Sequence, residues 1–384
     1  MKIIRIFEAR GAHGLILAIA LGISAGGGFA SSAFAQNTRE AQVIVNPDGK
    51  ITYLDTRGGN YNNVAFGIND SGQVVGRSIF DGHIHVFITG PNGVGVTDLG
   101  TLGGNYSEAR SINNSGQVAG TSIAADGGPH GFITGPNGVG MTDLGTEGGF
   151  GYYGINDSGQ VVGQASNIVD LSWRGFITGP NGAGITDLGE KAPQGINDSG
   201  QVAGNYHVVD YDEYGNLINY GRAFITGPDG VGMTDLGTLG GLVSEASAIN
   251  ESGQVAGWSS VDGFSHAFIT GPNGMEMTDL GTLDGFQSEA NGINDSGQVV
   301  GVSYSRDGFH HAFITGPDGV GMIDLNSIAD LSSGSYLSNA QGINNQGQVI
   351  ATLISTIPEP ASCALMLAGL GLVGFMARRN GASA

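Results

Sequence analysis

The sequence predicts an all-β chain folded as a seven-bladed β-propeller of four-stranded antiparallel blades. Two turn-bearing segments alternate along it, each in seven copies, at the spacing that four short strands require. The first reads GINDSGQVVG at Gly67, SINNSGQVAG at Ser111, GINDSGQVVG at Gly154, GINDSGQVAG at Gly195, AINESGQVAG at Ala248, GINDSGQVVG at Gly292 and GINNQGQVIA at Gly342. The second, FITGPNG or FITGPDG, begins at Phe87, Phe132, Phe176, Phe224, Phe268 and Phe313, with a diverged copy, VIVNPDGKITYLD, from Val43. Successive Ile-Asn pairs lie 44, 43, 41, 53, 44 and 50 residues apart.

Each unit reads as two hairpins. Asp-Ser-Gly separates a strand ending Ile-Asn from one beginning Gln-Val, and Gly-Pro-Asn-Gly separates Phe-Ile-Thr from a strand ending Asp-Leu; both clusters are turn chemistry. The Gly-Thr-Leu-Gly-Gly segments at Gly100 and Gly237 are long enough to carry the chain from an outermost strand to the next innermost one. The Ile-Asn strand, rich in Ala and Gly, therefore takes the crowded inner position. Gln-Val is second, Phe-Ile-Thr third and Asp-Leu outermost. A solenoid or a string of sandwiches is the competing architecture, but solenoid coils are generally shorter and do not double back through tight turns.

The chain enters with a third and a fourth strand, residues 42–55, and leaves with a first and a second, residues 340–354. Neither half is a blade alone. Pairing them makes the seventh blade, closes the ring and removes two sheet edges that would invite aggregation.

Of 384 residues, 14 are basic and 34 acidic, a formal charge of −20, and 71 are glycine. Setting aside five bases and two acids at the ends leaves nine bases against 32 acids in residues 36–357. This balance argues against nucleic acid as a partner, because phosphate neutralisation needs clustered Lys and Arg.

The two ends read as addresses. Residues 1–35 carry Lys2, Arg5 and Arg10, an apolar stretch from Leu15 to Ile23, and small residues ending Ala33-Phe34-Ala35 before Gln36, the order of a secretory signal peptide cleaved ahead of Gln36. Export through the Sec translocon follows. The single cysteine is Cys363, so the exported body, residues 36–357, has neither a disulfide nor a thiolate metal site to expect. Residues 358–384 hold Pro358-Glu359-Pro360, an apolar run 361–376 expected to form a membrane helix, and Arg378-Arg379 on its cytoplasmic side. PEPASCALMLAGLGLVGFMARRN resembles the PEP-CTERM sorting signal of Gram-negative bacteria. The resemblance implies recognition by an exosortase at the inner membrane, processing near Pro358-Glu359-Pro360, and delivery to the cell envelope or extracellular matrix. The repeats, with His266-Ala267-Phe268 and His311-Ala312-Phe313, resemble the bacterial extracellular HAF family, which implies an exported repeat domain and no agreed enzymatic activity.

Repeated polar residues are expected to be structural. His85, His130, His266 and His311 occupy equivalent sites on different blades, too far apart to share an ion, and Arg174 and Arg222 replace them elsewhere. They are expected to cap a strand or to hydrogen-bond across blades. The turn residues Asp70, Asp157, Asp198 and Asp295, replaced by Asn114, Asn345 or Glu251, are expected to serve the turn itself. The fourth unit carries an insertion, residues 206–220, expected to be an acidic loop. Asp210, Asp212 and Gly215 are spaced like the start of a calcium loop, but Tyr214 and Gly221 stand where its further ligands belong, so calcium is a secondary expectation and no cofactor is assigned.

The insertion and the interblade loops fall on one face, opposite both kinds of turn. That variable face is the expected ligand face, with Tyr61, Tyr106, Tyr152, Glu108, Glu245 and Glu289 placed to stack on and hydrogen-bond sugars. No Gly-x-Ser-x-Gly elbow, His-Glu-x-x-His helix or P-loop occurs. The expected function is a non-enzymatic adhesion, matrix or carbohydrate-binding module in contact with exopolysaccharide. The alternative is an extracellular polysaccharide hydrolase or lyase, with two glutamates from different blades meeting at a central channel.

Overall fold

Each Ile-Asn pair ends a strand because its asparagine builds the turn. Asn69 Oδ1 accepts from the backbone N–H of Ser71 at 3.2 Å and of Gln73 at 3.0 Å, so the chain reverses into the Gln-Val strand. The computed structural model describes residues 38–54, 63–147, 154–166, 173–211 and 217–356. Here the strands Val64–Ile68, Val74–Phe80, His83–Thr89 and Val96–Gly100 pair antiparallel in that order, inner to outer. The order recurs in sets whose inner strands are Gly103–Ile112, Gly154–Ile155, Lys191–Ile196, Ser244–Ile249 and Gln287–Ile293. A single parallel bridge, Ile84 to Tyr106, joins the first two sets.

The last set mixes the two ends of the chain. Ser335–Ile343 pairs Val349–Thr356, which pairs Thr38–Val45, which pairs Ile51–Tyr53. The register runs unbroken from Val45 opposite Val349 to Thr38 opposite Thr356. This is the expected pairing, and it covers the strand edge that either end would otherwise expose.

The core lies between sets. Phe132 packs against Val75, Val86 and Ile88 of the preceding set, and Phe268 against Ala203, Ala223 and Ile225. Both phenylalanines are fully buried, and burying each stabilises the stack by about 1.5–3 kcal/mol.

Polar bonds between the turns reinforce this packing. Asn69 Nδ2 donates to the Asn113 carbonyl at 3.0 Å, Asn113 to Asn156 at 3.0 Å and Asn156 to Asn197 at 3.0 Å; Asn344 donates to the Asn69 carbonyl at 2.8 Å. The next residue makes a parallel series, and here the expectation needs correcting. The carboxylate of the Asp-Ser-Gly turn does not serve its own turn. Asp157 Oδ1 accepts from the Asn114 backbone N–H at 2.8 Å, Asp198 Oδ1 from Asp157 at 2.7 Å, and Asp70 Oδ1 from Asn345 at 2.9 Å. The preceding asparagine already satisfies the turn, which leaves the carboxylate to reach the neighbouring set.

The repeated histidines are structural as expected, but the bond across blades is corrected, because their bonds stay within one set. His85 Nδ1 lies 3.0 Å from Asp98 Oδ2, His130 Nδ1 2.7 Å from Asp143, His266 Nδ1 2.9 Å from Asp279 and His311 Nδ1 2.8 Å from Asp324. Each pair ties a third strand to its outer strand. Arg174 pairs with Asp187 in the same way, which explains the exchange of His for Arg. The insertion is not a free loop either. Val202–Tyr211 pairs along Leu217–Ile225, and Asp210 sits on that hairpin opposite Ile218; Asp212 lies outside the described residues.

Candidate ligand-binding funnel

The inner strands converge because they carry glycine or another small residue where they meet. A Cβ on Gly154 would stand 3.0 Å from the Gly195 Cα. Six of the seven inner strands also bulge one residue before this point. Register shifts place Phe66, Arg110, Gln194, Ser247, Asn291 and Gln341 in the bulges, without a partner on the second strand. A bulge re-aims its side chain. All six residues line a cavity of about 1100 Å³, and all six also line a second cavity of about 300 Å³ nearer the turns, so they stand between the two.

The bulge depends on the second strand. At Gly120 a Cβ would lie 2.1 Å from the Glu108 carbonyl oxygen, which the bulge pushes across the sheet. Glycine ends this segment in six of the seven copies and leaves room for that carbonyl; in the last copy Ala351 stands opposite Ala340 beside the bulge at Gln341.

The larger cavity opens away from both kinds of turn. Its wall includes Trp173, Trp258, Tyr206 and Phe66, the amides of Gln164, Gln194, Asn205, Asn291 and Gln341, and the charged Arg110, Glu190, Lys191, Glu245 and Glu289. Gln341 Nε2 donates to Thr352 Oγ1 at 2.6 Å, while its Oε1 is buried with no partner. Asn291 Nδ2 is held by Asn339 Oδ1 and the Ala340 carbonyl, both at 2.9 Å. The Lys191 ammonium donates to the Leu188 carbonyl at 2.6 Å.

The structure separates the residues expected on this face. Glu245 and Glu289 line the cavity on neighbouring inner strands. Glu108 is 5% exposed and is held by Arg77 and by Arg110 Nη2 at 2.5 Å, so its charge is already answered. Tyr106 donates its hydroxyl to Glu108 at 2.9 Å, and burial, with the Glu108 carboxylate adding, pushes its phenol up. The Arg110 guanidinium lies 4.6 Å from the Phe66 ring centre. These two expected ligand contacts are therefore internal to the wall. Tyr61, Tyr152, Ala33, Ala35, Gln36, Pro358, Glu359, Pro360, Arg378 and Arg379 lie outside the described residues. Among the described residues, no group of three or more His, Cys, Asp or Glu side chains is placed to hold a metal ion, and no helix is long and apolar enough to cross a membrane.

The sequence reading missed both tryptophans and all six bulge residues. A signal was present. Two residues before Ile-Asn the repeats read Phe66, Arg110, Tyr153, Gln194, Ser247, Asn291 and Gln341, a varied column inside an otherwise repeated segment.

Residues 356–380 match the PEP-CTERM protein-sorting motif, which implies export to the cell envelope and exosortase processing on the way. Comparison with curated proteins returns no match. Among solved structures, the chain is similar to the β-propeller domain of the Trilobed protease from Pyrococcus furiosus, with a TM-score of 0.51 and 10% identity over 74% of this chain and 87% of that one. That domain is described as having an open velcro topology. An acylaminoacyl peptidase in complex with Z-Gly-Gly-Phe-chloromethyl ketone also matches at TM-score 0.51 and 10% identity, over 74% of this chain and 48% of that one. This chain spans about half the length of that peptidase, and at such identity the likeness is one of β-propeller fold alone.

Proposed function

We propose that this exported protein is a closed seven-bladed propeller whose central funnel binds carbohydrate, and that it works as a non-enzymatic adhesion or matrix module. The observation that carries the reading is the cavity of about 1100 Å³ with Trp173, Trp258, Tyr206 and Phe66 beside amides and carboxylates. Flat aromatic faces stack on pyranose rings, and fixed amides orient their hydroxyls. Closure is supported by the unbroken pairing of Thr38–Val45 with Val349–Thr356 and by the bond from Asn344 to Asn69. A signal peptide over residues 1–35, a membrane helix over 361–376 and membership of the HAF repeats belong to the same reading. The acidic body would stay soluble among polyanions, with exopolysaccharide as the partner class.

The test is retention of the purified mature protein on a panel of neutral, acidic and amino-sugar polysaccharides, compared with its Trp258→Ala variant. Retention that falls at least tenfold in the variant is expected. Binding unchanged by Trp258→Ala, or none across the panel, would reject the funnel as a glycan site. A second reading, a polysaccharide hydrolase, draws on Glu245 and Glu289 facing one cavity from neighbouring inner strands. New reducing ends released from a bound polymer, and lost in Glu245→Gln or Glu289→Gln, would favour it over the binding module.

A further inference from the structure

Three inner strands carry the same tripeptide, Ser-Glu-Ala, at Ser107, Ser244 and Ser288. The three glutamates are thus equivalent in the fold, yet their surroundings differ. Glu108 is bracketed by Arg77, from the second strand of the preceding blade, and by Arg110, the bulge residue of its own strand. At Glu245 the residues in those two places are Asn205 and Ser247, and at Glu289 they are Trp258 and Asn291. Neutral side chains replace both arginines in both cases. Asn205 is itself occupied, with its Oδ1 accepting from the Ala246 N–H at 2.8 Å.

Among the described residues no base pairs with Glu245 or Glu289. The polar contact to Glu289 is the Ser265 hydroxyl at 3.5 Å. Both carboxylates are partly buried in the funnel wall, and Trp258 stands opposite Glu245 on the adjacent strand while filling the arginine's place beside Glu289. Trp258 thus stands between two carboxylates that no described base answers. The cavity's arginine and lysine, Arg110 and Lys191, belong to other blades and are engaged by Glu108 and the Leu188 carbonyl. Its histidine, His207, lies on the second strand Val202–Tyr211 of the blade preceding that of Glu245.

We infer that this wall recognises the protonated amine of an amino sugar, so that the ligand is a polysaccharide containing free-amine hexosamine units. The inference rests on the glycan reading above and narrows it. A neutral sugar leaves two partly desolvated carboxylates without a counter-charge, and a uronic acid is repelled by them. A hexosamine ring on the Trp258 face supplies an ammonium group to a carboxylate on either side, a charge-assisted bond that an N-acetylated ring lacks.

The test is calorimetry of the protein with a glucosamine hexamer and with an N-acetylglucosamine hexamer at about pH 6, where the free amines are charged. The glucosamine hexamer should bind at least tenfold more tightly. The Glu245→Gln, Glu289→Gln double variant should erase that preference. An Asp81→Asn, Asp262→Asn double variant, which removes the same charge from two hairpin tips that do not line the cavity, should keep it. Equal affinity for the two oligomers would overturn the inference, as would equal losses in the two double variants, since a diffuse attraction to the acidic body produces that result. Either outcome leaves the glycan reading standing if Trp258→Ala still weakens both oligomers. Failure of both hexamers to bind overturns the inference; the glycan reading falls with it only if the wider panel is also not retained.

Discussion

At the scale of single residues, the turn face concentrates negative charge. Asp157, Asp198, Glu251 and Asp295 follow one another from blade to blade, each accepting a backbone N–H from its neighbour. Burial pushes the Glu251 carboxyl up to about 7; the Asp198 N–H opposes this, and the charges of Asp198, Asp295 and Asp157 add to it. Because the folded value lies above the unfolded one, the native state binds the extra proton. Its stabilising effect is complete below about pH 4.5 and is lost as pH rises through 7. Glu251→Gln keeps an acceptor and removes the charge. Its melting temperature should exceed the parent's at pH 8, with the gap closing by pH 5. A gap that does not vary with pH would show that the carboxylate ring exerts no such strain. His130 and His311 add the same sign to the parent's profile: burial opposes their charging, but the carboxylates of Asp143 and Asp126, and of Asp324 and Asp307, raise them overall.

At the scale of elements, the bulged inner strand and the glycine opposite it act as one device. Gly120→Ala would drive a Cβ to 2.1 Å from the Glu108 carbonyl oxygen, so the bulge must flatten or the strands must part. We expect destabilisation of about 1–3 kcal/mol in denaturant titration, the usual cost of overpacking. Flattening would also turn Arg110 away from the funnel, so Gly120→Ala should alter glycan retention more than a cavity-forming change of equal cost elsewhere, such as Ile133→Val repeated to the same stability loss with a neighbouring core truncation. Much of this device was legible. The glycine recurs after six of the seven Gln-Val pairs, with Ala351 after the last, and the inner position follows from its small residues. The bulge itself was not, because it is a register difference between two strands and leaves no composition of its own.

At the scale of the whole molecule, the first and last described strands meet in one sheet. Removing residues 38–54 would uncover the strand Val349–Thr356 along its full length and strip Val43 and Val45 from the core around Leu337 and Leu353. The truncated protein should aggregate or lose its cooperative transition in light scattering and thermal melting. A soluble product melting like the parent would show that the last sheet does not depend on this pairing.

The repeats settle a great deal without any coordinates. Turn chemistry and strand order depend on residues within about five positions of one another, and seven copies of each turn repeat the same instruction. Glu245 and Glu289 were readable as candidates because alternating strand direction places them on the face opposite both kinds of turn. Three matters waited on the tertiary structure: which glutamate is neutralised, which turn carboxylate bridges to its neighbour, and which side chains the bulges deliver into the cavity. The first two depend on contacts between units about 44 residues apart, and the third on the register between two strands of one unit. The partner of Glu108 is fixed by how one sheet stacks on the next, and a linear pattern holds no record of that stacking.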